Sequence, residues 1–282
     1  MEFAAQALPK KGKRALRRCF DGLFGCAREL LRGRELLFVL AGRDLKVRYK
    51  QSLLGVAWAI LQPASMTFIF TIVFGHFVRV SSEEVPRPLF YYVTTAPWSF
   101  LSAALGGSVA CLVANLSLVT KVRFPREILV FAGIGAFAVD FFIALCFLPI
   151  LFFIWPVAVG ISLLWLPLLF ALQVILITGI GLVIAAGNVF YRDLRFLVPL
   201  GLQLWFFASP VMYSLSEVPE RFRGLYLLNP MAPILDGYRQ ALLHNHAPNL
   251  AGLGIAAVVS LAVFAFGYWG FKRLEPAFAD VI

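Results

Sequence analysis

Six long apolar stretches, joined by short polar loops, set the first limit on what this chain can become. They run over about residues 53–78, 89–118, 128–154, 163–189, 196–213 and 250–271. A helix of roughly 20 apolar residues crosses a bilayer core of about 30 Å. Inside lipid, only helices and closed barrels satisfy their own backbone hydrogen bonds. These stretches are apolar throughout rather than alternating, which selects helices over barrel strands. Of the 282 residues, 61% are hydrophobic and only 14% charged, a balance that a water-soluble domain of this length does not need.

Charge then fixes the orientation. The net charge is +10, and 13 of the 25 Lys and Arg fall in residues 1–50. A basic arm beside a span is read as a partner for anionic lipid headgroups rather than nucleic acid, since no stacking motif of an RNA-binding module accompanies it. With the N-terminus in the cytoplasm, the inner segments are the arm, the 120–127 loop, the 190–195 loop and the tail. They carry 20 Lys and Arg, against 5 on the outer side. The positive-inside rule therefore predicts six spans with both termini cytoplasmic. About fifty largely polar and basic residues precede the first span, so no cleavable signal peptide is expected.

Two segments fit neither span nor loop. In Arg34 to Ser52, a turn of 100° per residue brings Arg43, Lys46 and Lys50 into one arc, with Phe38, Leu45 and Tyr49 opposite. Asp44 and Arg48 form an i,i+4 pair. This predicts a basic amphipathic helix lying on the inner surface. Between the fifth and sixth stretches, residues 216–247 are partly apolar but broken by Asn229, Pro230, Pro233 and Asp236. Asn229-Pro230 reads as a helix cap followed by proline at the first helical position. Short helices that dip in from the outer face are expected here, buried in protein or lining a cavity. The fold predicted is an all-α integral membrane protein: six transmembrane helices, an N-terminal amphipathic interface helix, and re-entrant outer-face helices before the last span.

Several chemistries have no residues to perform them. There is no GxxxxGK[ST] loop, no HExxH and no GxSxG. Cys19, Cys26, Cys111 and Cys146 lack metal-ligand spacing, and His244 and His246 do not share a helix face. No metal site is expected. Asp140 is the single acid deep in a span. Such a carboxylate is costly in lipid. Three roles stay open for it: a hydrogen-bonded structural group, a polar pore lining, or proton coupling. The many aromatics leave two readings as well. Trp98, Trp155, Trp165 and Trp205 near span ends fit an interfacial belt. Alternatively, rings such as Tyr91, Tyr92, Trp98 and Trp205 line a path for sugars.

The more specific signal is a set of motifs in a fixed order. They are Arg43-Asp44-Leu45-Lys46-Val47-Arg48-Tyr49-Lys50-Gln51-Ser52-Leu53-Leu54-Gly55-Val56-Ala57-Trp58 with Gln62-Pro63; Phe190-Tyr191-Arg192-Asp193-Leu194-Arg195; Ser209-Pro210-Val211-Met212-Tyr213; and Asn229-Pro230-Met231-Ala232-Pro233 with Tyr238-Arg239. Together they resemble the permease subunits of ABC type-2 transporters that export lipid-linked polysaccharides: O-antigen, capsule and teichoic-acid exporters. The resemblance covers about residues 35–275, with the interface helix at 35–52. It leaves 1–34 as a basic cytoplasmic extension and 276–282 as a cytoplasmic tail.

The resemblance implies a homodimer in the bacterial inner membrane with two copies of a separate nucleotide-binding subunit. ATP and magnesium would sit on that partner, and this chain would be a permease rather than an enzyme. The substrate implied is a polysaccharide on undecaprenyl diphosphate, O-antigen first; the alternatives are capsule, teichoic acid, or a small lipid or drug. The interface helix would gate the cytosolic side, with Arg43, Lys46, Arg48 and Lys50 as candidates for the diphosphate headgroup. Lys121, Arg123, Arg126, Glu127, Arg192 and Asp193 would couple to the ATPase, Glu127 through a base on that partner. Tyr91, Tyr92, Trp98, Asp140 and Trp205 are candidate channel residues, and Asn229, Pro230, Pro233 and Tyr238 belong to an outer gate. A membrane enzyme acting on polyprenyl phosphates is disfavoured, because no cluster of carboxylates or histidines exists for acid–base or metal work.

Overall fold

The computed structural model describes residues 33–278, apart from 51, 75–84, 123, 158–159, 220, 222–223, 225 and 227. Most of the loop between the first two predicted spans, most of the 1–34 extension, residue Arg123 and the last four residues lie outside the described ones. Among the described residues, every regular element is a helix.

The chain opens with α1, Arg34–Tyr49, and turns through a short 3₁₀ element, Gly55–Ala57, into α2, Trp58–Ile72. Gly55 sits at φ +52°, a left-handed conformation open to glycine at little cost. Its N–H is taken by Ser52 Oγ at 3.2 Å. Next come α3, Arg87–Ala114, and the short α4, Leu116–Lys121. They break at Asn115, whose Nδ2 donates to Cys111 O at 2.8 Å. The third apolar stretch divides into α5, Glu127–Leu145, and α6, Leu148–Ile154. Pro149 in the first turn of α6 has no N–H to lose there. A 3₁₀ turn, Ile161–Trp165, leads into α7, Leu166–Phe190. The remaining helices are α8, Leu194–Phe207, α9, Met231–Leu243, and α10, Leu250–Leu274. Asn249 caps α10, its Oδ1 accepting from Ala251 N and Gly252 N.

Among the described residues, five stretches are long and apolar enough to cross a membrane: Gly55–Ile72, Arg87–Ala114, Glu127–Ile154, Ile161–Phe190 and Leu250–Ala277. The predicted span at 196–213 corresponds to α8, which has only 14 residues. At 1.5 Å per residue it reaches about 21 Å, short of a hydrocarbon core of about 30 Å. The helix ends at Ala208, and the motif Ser209-Pro210-Val211-Met212-Tyr213 is a run of turns.

Helix α3 is the axis of the packing. It touches α2, α5, α7, α8 and α9, and Leu89–Trp98 is buried without interruption. Behind it, α7 and α10 form the most extensive pair. Their backbones meet at glycines: a Cβ on Gly267 would lie 2.2 Å from the Gly179 carbonyl oxygen, and one on Gly179 would lie 2.6 Å from Phe264 Cα. Small residues let membrane helices approach this closely and gain dispersion contacts along their length. In contrast, α2 and α8 bury little against the rest of the chain, with only Pro63 and Thr67 buried in the first and Leu202 in the second. Three helices contain an internal proline, namely Pro63 in α2, Pro97 in α3 and Pro199 in α8.

Candidate functional site

One end of the helix bundle holds the first group of candidate residues. Helix α1 packs on α5 with Leu40 as its buried residue. Arg48 reaches from α1 to Asp140 of α5 and forms an ion pair with its Oδ2. Tyr49 donates its hydroxyl to the other carboxylate oxygen, Oδ1, at 2.6 Å. The Arg48 guanidinium also lies 3.8 Å over the Phe137 ring. Burial, and then the bond to Asp140, push the Tyr49 hydroxyl up to about 12, so it remains a donor throughout the neutral range. Asp140 therefore has a basic partner, supplied by α1 rather than by another span.

The four headgroup candidates separate into two classes. Arg48 is committed to Asp140. Arg43 is held by Asp44 Oδ1 and by Asn115 Oδ1, each at 2.8 Å from Nη2. Lys46 and Lys50 are exposed and form no ion pair among the described residues. They line a shallow groove on α1 with Phe38, Val39, Val47 and Tyr49. The expected split between a basic arc and an apolar arc does not describe α1. Asp44 and Arg48 lie on its protein side, and exposed Phe38, Val39 and Val47 share the outer side with the lysines. Side chains of that mixture suit the headgroup layer, where lysine stems lie along apolar surface and ammonium groups reach water.

Beside the Arg48–Asp140 pair is a partly open cavity of about 190 Å³ between α1, α2, α3 and α5. Further along α2 and α3, a larger groove of about 540 Å³ is closed on its third side by α8. Its wall combines rings (Phe70, Trp98, Phe206, Phe207) with polar groups (Gln62, Thr95, Ser99, Ser102, Gln203). Trp98 stacks edge-on against Trp205 and Phe206, with centroids 5.9 and 5.4 Å apart. Thr95 and Thr67 share a hydrogen bond of 2.9 Å. Gln62 and Gln203 are exposed on helices that are otherwise largely apolar. An amide facing hydrocarbon is costly, so this face belongs against water or protein rather than lipid.

The five channel candidates thus go to different places. Trp98 lines the groove, and Trp205 stands behind it. Asp140 lines the smaller cavity instead. Tyr91 and Tyr92 do not reach either opening, each being 1% exposed. Tyr92 donates to Ala144 O at 2.9 Å, fastening α3 to α5, and Tyr91 packs against Phe70, Phe74 and Phe90. Aromatic chemistry pointed to these two, but their place in the fully buried stretch of α3 makes them core.

The 120–127 loop is tied to the end of α10. Glu127 is 1% exposed and pairs with Lys272 Nζ at 2.7 Å. Its cation therefore belongs to this chain, whereas the sequence placed it on a partner. Lys272 also reaches Glu275 at 3.2 Å. The Arg126 backbone N–H donates to Glu275 Oε1 at 3.3 Å, and its guanidinium donates to the Glu275 carbonyl. Lys121, Arg192 and Asp193 are exposed. Asp193 stands at the N-cap of α8, where its charge favours the helix dipole.

The residues expected at the outer gate form a brace. Asn229 Oδ1 accepts from Trp205 Nε1 at 2.9 Å and from Met231 N at 3.1 Å, and its Nδ2 donates to Ser209 Oγ at 2.9 Å. It thereby joins the end of α8 to the start of α9. The helix begins one residue later than expected, with Pro230 as N-cap, yet the Asn229 side chain still satisfies a first-turn donor. Pro230, Pro233 and Tyr238 are buried. Tyr238 donates to Gln173 Oε1 at 3.2 Å, and Gln173 Nε2 donates to the Pro97 carbonyl at 2.7 Å. The fully buried Arg239 gives Nη2 to Pro210 O at 3.2 Å and lies 4.2 Å over the Phe90 ring. It was only a motif residue in the sequence, and its full burial carries no local signal.

Known proteins place this geometry in context. Residues 35–243 match the family described as ABC-2 type transporter. The chain is 31% identical over 261 residues to the O-antigen export system permease protein RfbA of Myxococcus xanthus, covering 90% of this chain and 98% of that protein. It is 27% identical over 250 residues to a protein of the same name from Klebsiella pneumoniae, covering 88% and 95%. It is 23% identical over 246 residues to the polysialic acid transport protein KpsM of Escherichia coli, covering 86% and 93%.

Proposed function

The chain belongs to the ABC-2 type transporter family, and from that membership we propose that it is the permease subunit that carries a lipid-linked O-antigen polysaccharide across the bacterial inner membrane. Two copies of the chain form the conduit, with two copies of a separate ATPase binding ATP and magnesium on the cytoplasmic side. The permease itself makes and breaks no covalent bond. Both termini lie in the cytoplasm, and α8, extended by the turns after it, completes a sixth crossing. The reading rests on one observation above all. The groove between α2, α3 and α8 offers rings and hydroxyls together, and two of its three helices, α2 and α8, bury little within their own chain. Rings pack against the C–H faces of a sugar and hydroxyls exchange hydrogen bonds with it, while the thinly packed helices leave a face for the second copy. Lys46 and Lys50 serve the diphosphate, and Lys121, Arg192 and Asp193 meet the ATPase.

A capsule-type polymer is the second reading, favoured by the likeness to the polysialic acid transport protein. Export is tested by Ser102→Trp, which fills the groove. The complex should still assemble, while lipid-linked glycan accumulates at the inner leaflet and the surface loses its polymer. Normal surface polymer in that variant refutes the conduit. The surface glycan lost, O-antigen or capsule, decides between the two readings.

A further inference from the structure

Three concavities adjoin one another along this chain. Tyr49 is common to the lysine groove of α1 and to the cavity beside Arg48 and Asp140. Gln62 and Ser99 are common to that cavity and to the aromatic groove of α2, α3 and α8. A ligand lying along them meets, in order, two lysines without an ion pair, a small polar cavity, and a wall of rings and hydroxyls.

The middle cavity is not made for phosphate. Arg48 lines it, but its charge is matched by Asp140, and an entering anion would face that carboxylate at close range. A neutral ring bearing hydroxyls fits better. A carboxylate offers about four acceptor sites. Two at Asp140 are taken, by Arg48 and Tyr49. Gln62 and Ser99 make no side-chain hydrogen bond among the described residues. Phe100 and Phe141, stacked with centroids 5.2 Å apart, supply an apolar face to the same cavity. At about 190 Å³, the space is below the ~300 Å³ lower end for drug-sized ligands, so it takes one sugar ring rather than several.

We propose that this cavity binds the first sugar of the exported glycan, the neutral pyranose joined to the diphosphate, through Asp140, Arg48, Gln62 and Ser99, with Lys46 and Lys50 holding the diphosphate beside it. The proposal rests on the export reading above. It gives the transporter a means to recognise the reducing end of the substrate apart from its lipid and its charge.

The test uses the assembled transporter in nanodiscs and three probes: undecaprenyl diphosphate, the same lipid bearing a hexose, and the same lipid bearing an N-acetylhexosamine. Wild type should bind one of the sugar-bearing lipids about tenfold more tightly than the bare diphosphate, the gain from one or two charge-assisted hydrogen bonds. Ala103→Leu fills the cavity without touching the ion pair, and should abolish that preference while leaving affinity for the bare diphosphate unchanged. The neutral pair Arg48→Gln with Asp140→Asn should also abolish the preference for a sugar-bearing lipid. If that pair fails to assemble, Ala103→Leu decides alone. Lys46→Gln with Lys50→Gln should weaken all three probes alike. Less than a twofold wild-type preference for both sugars overturns the subsite and leaves the export reading standing, as does a preference that survives Ala103→Leu. Wild type that binds none of the three probes overturns the export reading and the subsite with it.

Discussion

Replacing Gly267 by alanine asks whether the contact between α7 and α10 is as close as the backbone indicates. The added Cβ would lie 2.2 Å from the Gly179 carbonyl oxygen, where real Cβ contacts essentially never fall under 3.0 Å. The helices must part by at least roughly 0.8 Å at this point. The obstacle is backbone, so no rotamer change relieves it. Overpacking of this kind costs about 1–3 kcal/mol. Alanine also gains about 0.8–1 kcal/mol over glycine in helix propensity, which masks part of the loss. Gly270, one turn on, provides the control, because a Cβ there meets nothing within 4 Å. Gly270→Ala carries the same propensity gain without the clash. The difference between the two variants is then the steric cost alone, about 1–3 kcal/mol, or roughly 5- to 150-fold in the folding equilibrium. Reversible unfolding in mixed micelles, followed by tryptophan fluorescence, measures it. Gly179→Ala should resemble Gly267→Ala, and the double variant should cost less than the sum, since the helices part only once. Equal stability of Gly267→Ala and Gly270→Ala, within about 0.5 kcal/mol, would refute the close-packed pair.

Lys272→Met leaves the buried Glu127 carboxylate without this cation and should destabilise by about 1–3 kcal/mol, while ATP hydrolysis by the complex continues without export; a variant with wild-type melting and export shows that the pair does not hold the inner loop. Gly55→Ala places a side chain at φ +52° and should cost about 1 kcal/mol, lowering the thermal midpoint and export together. Gly55→Asn should fall between wild type and Ala, since Asn tolerates that region, and a ranking with Ala equal to Gly means that the elbow carries no conformational demand.

What the sequence made legible was local. Apolar runs report their own neighbourhood, so the spans at Arg87–Ala114 and Leu250–Ala277 were readable from hydropathy, and Asn229-Pro230 marked the start of α9 to within one residue. Partners far apart in the chain carried no such mark. Arg48 and Asp140 are 92 residues apart, so Asp140 was left with several roles until α1 folded onto α5. Glu127 was assigned a partner elsewhere because the 120–127 loop is otherwise basic; its cation waits at the far end of the last helix. Tyr91 and Tyr92 show the converse difficulty. Ring chemistry states what a side chain can bind, but only packing states whether anything can reach it.

The three internal prolines have a mechanical consequence. Pro63, Pro97 and Pro199 lie in the three helices that wall the aromatic groove. Each deletes one rung of its helix's hydrogen-bond ladder and so creates a point of low bending stiffness. The opposite side of the bundle, α7 against α10, has no proline beyond its first turn and is sealed glycine to glycine. On the export reading proposed above, force arriving from the 120–127 loop is absorbed unequally: the backing pair transmits it as a rod and the wall around the groove flexes, so the bore changes with its cargo while the frame that holds it keeps its shape.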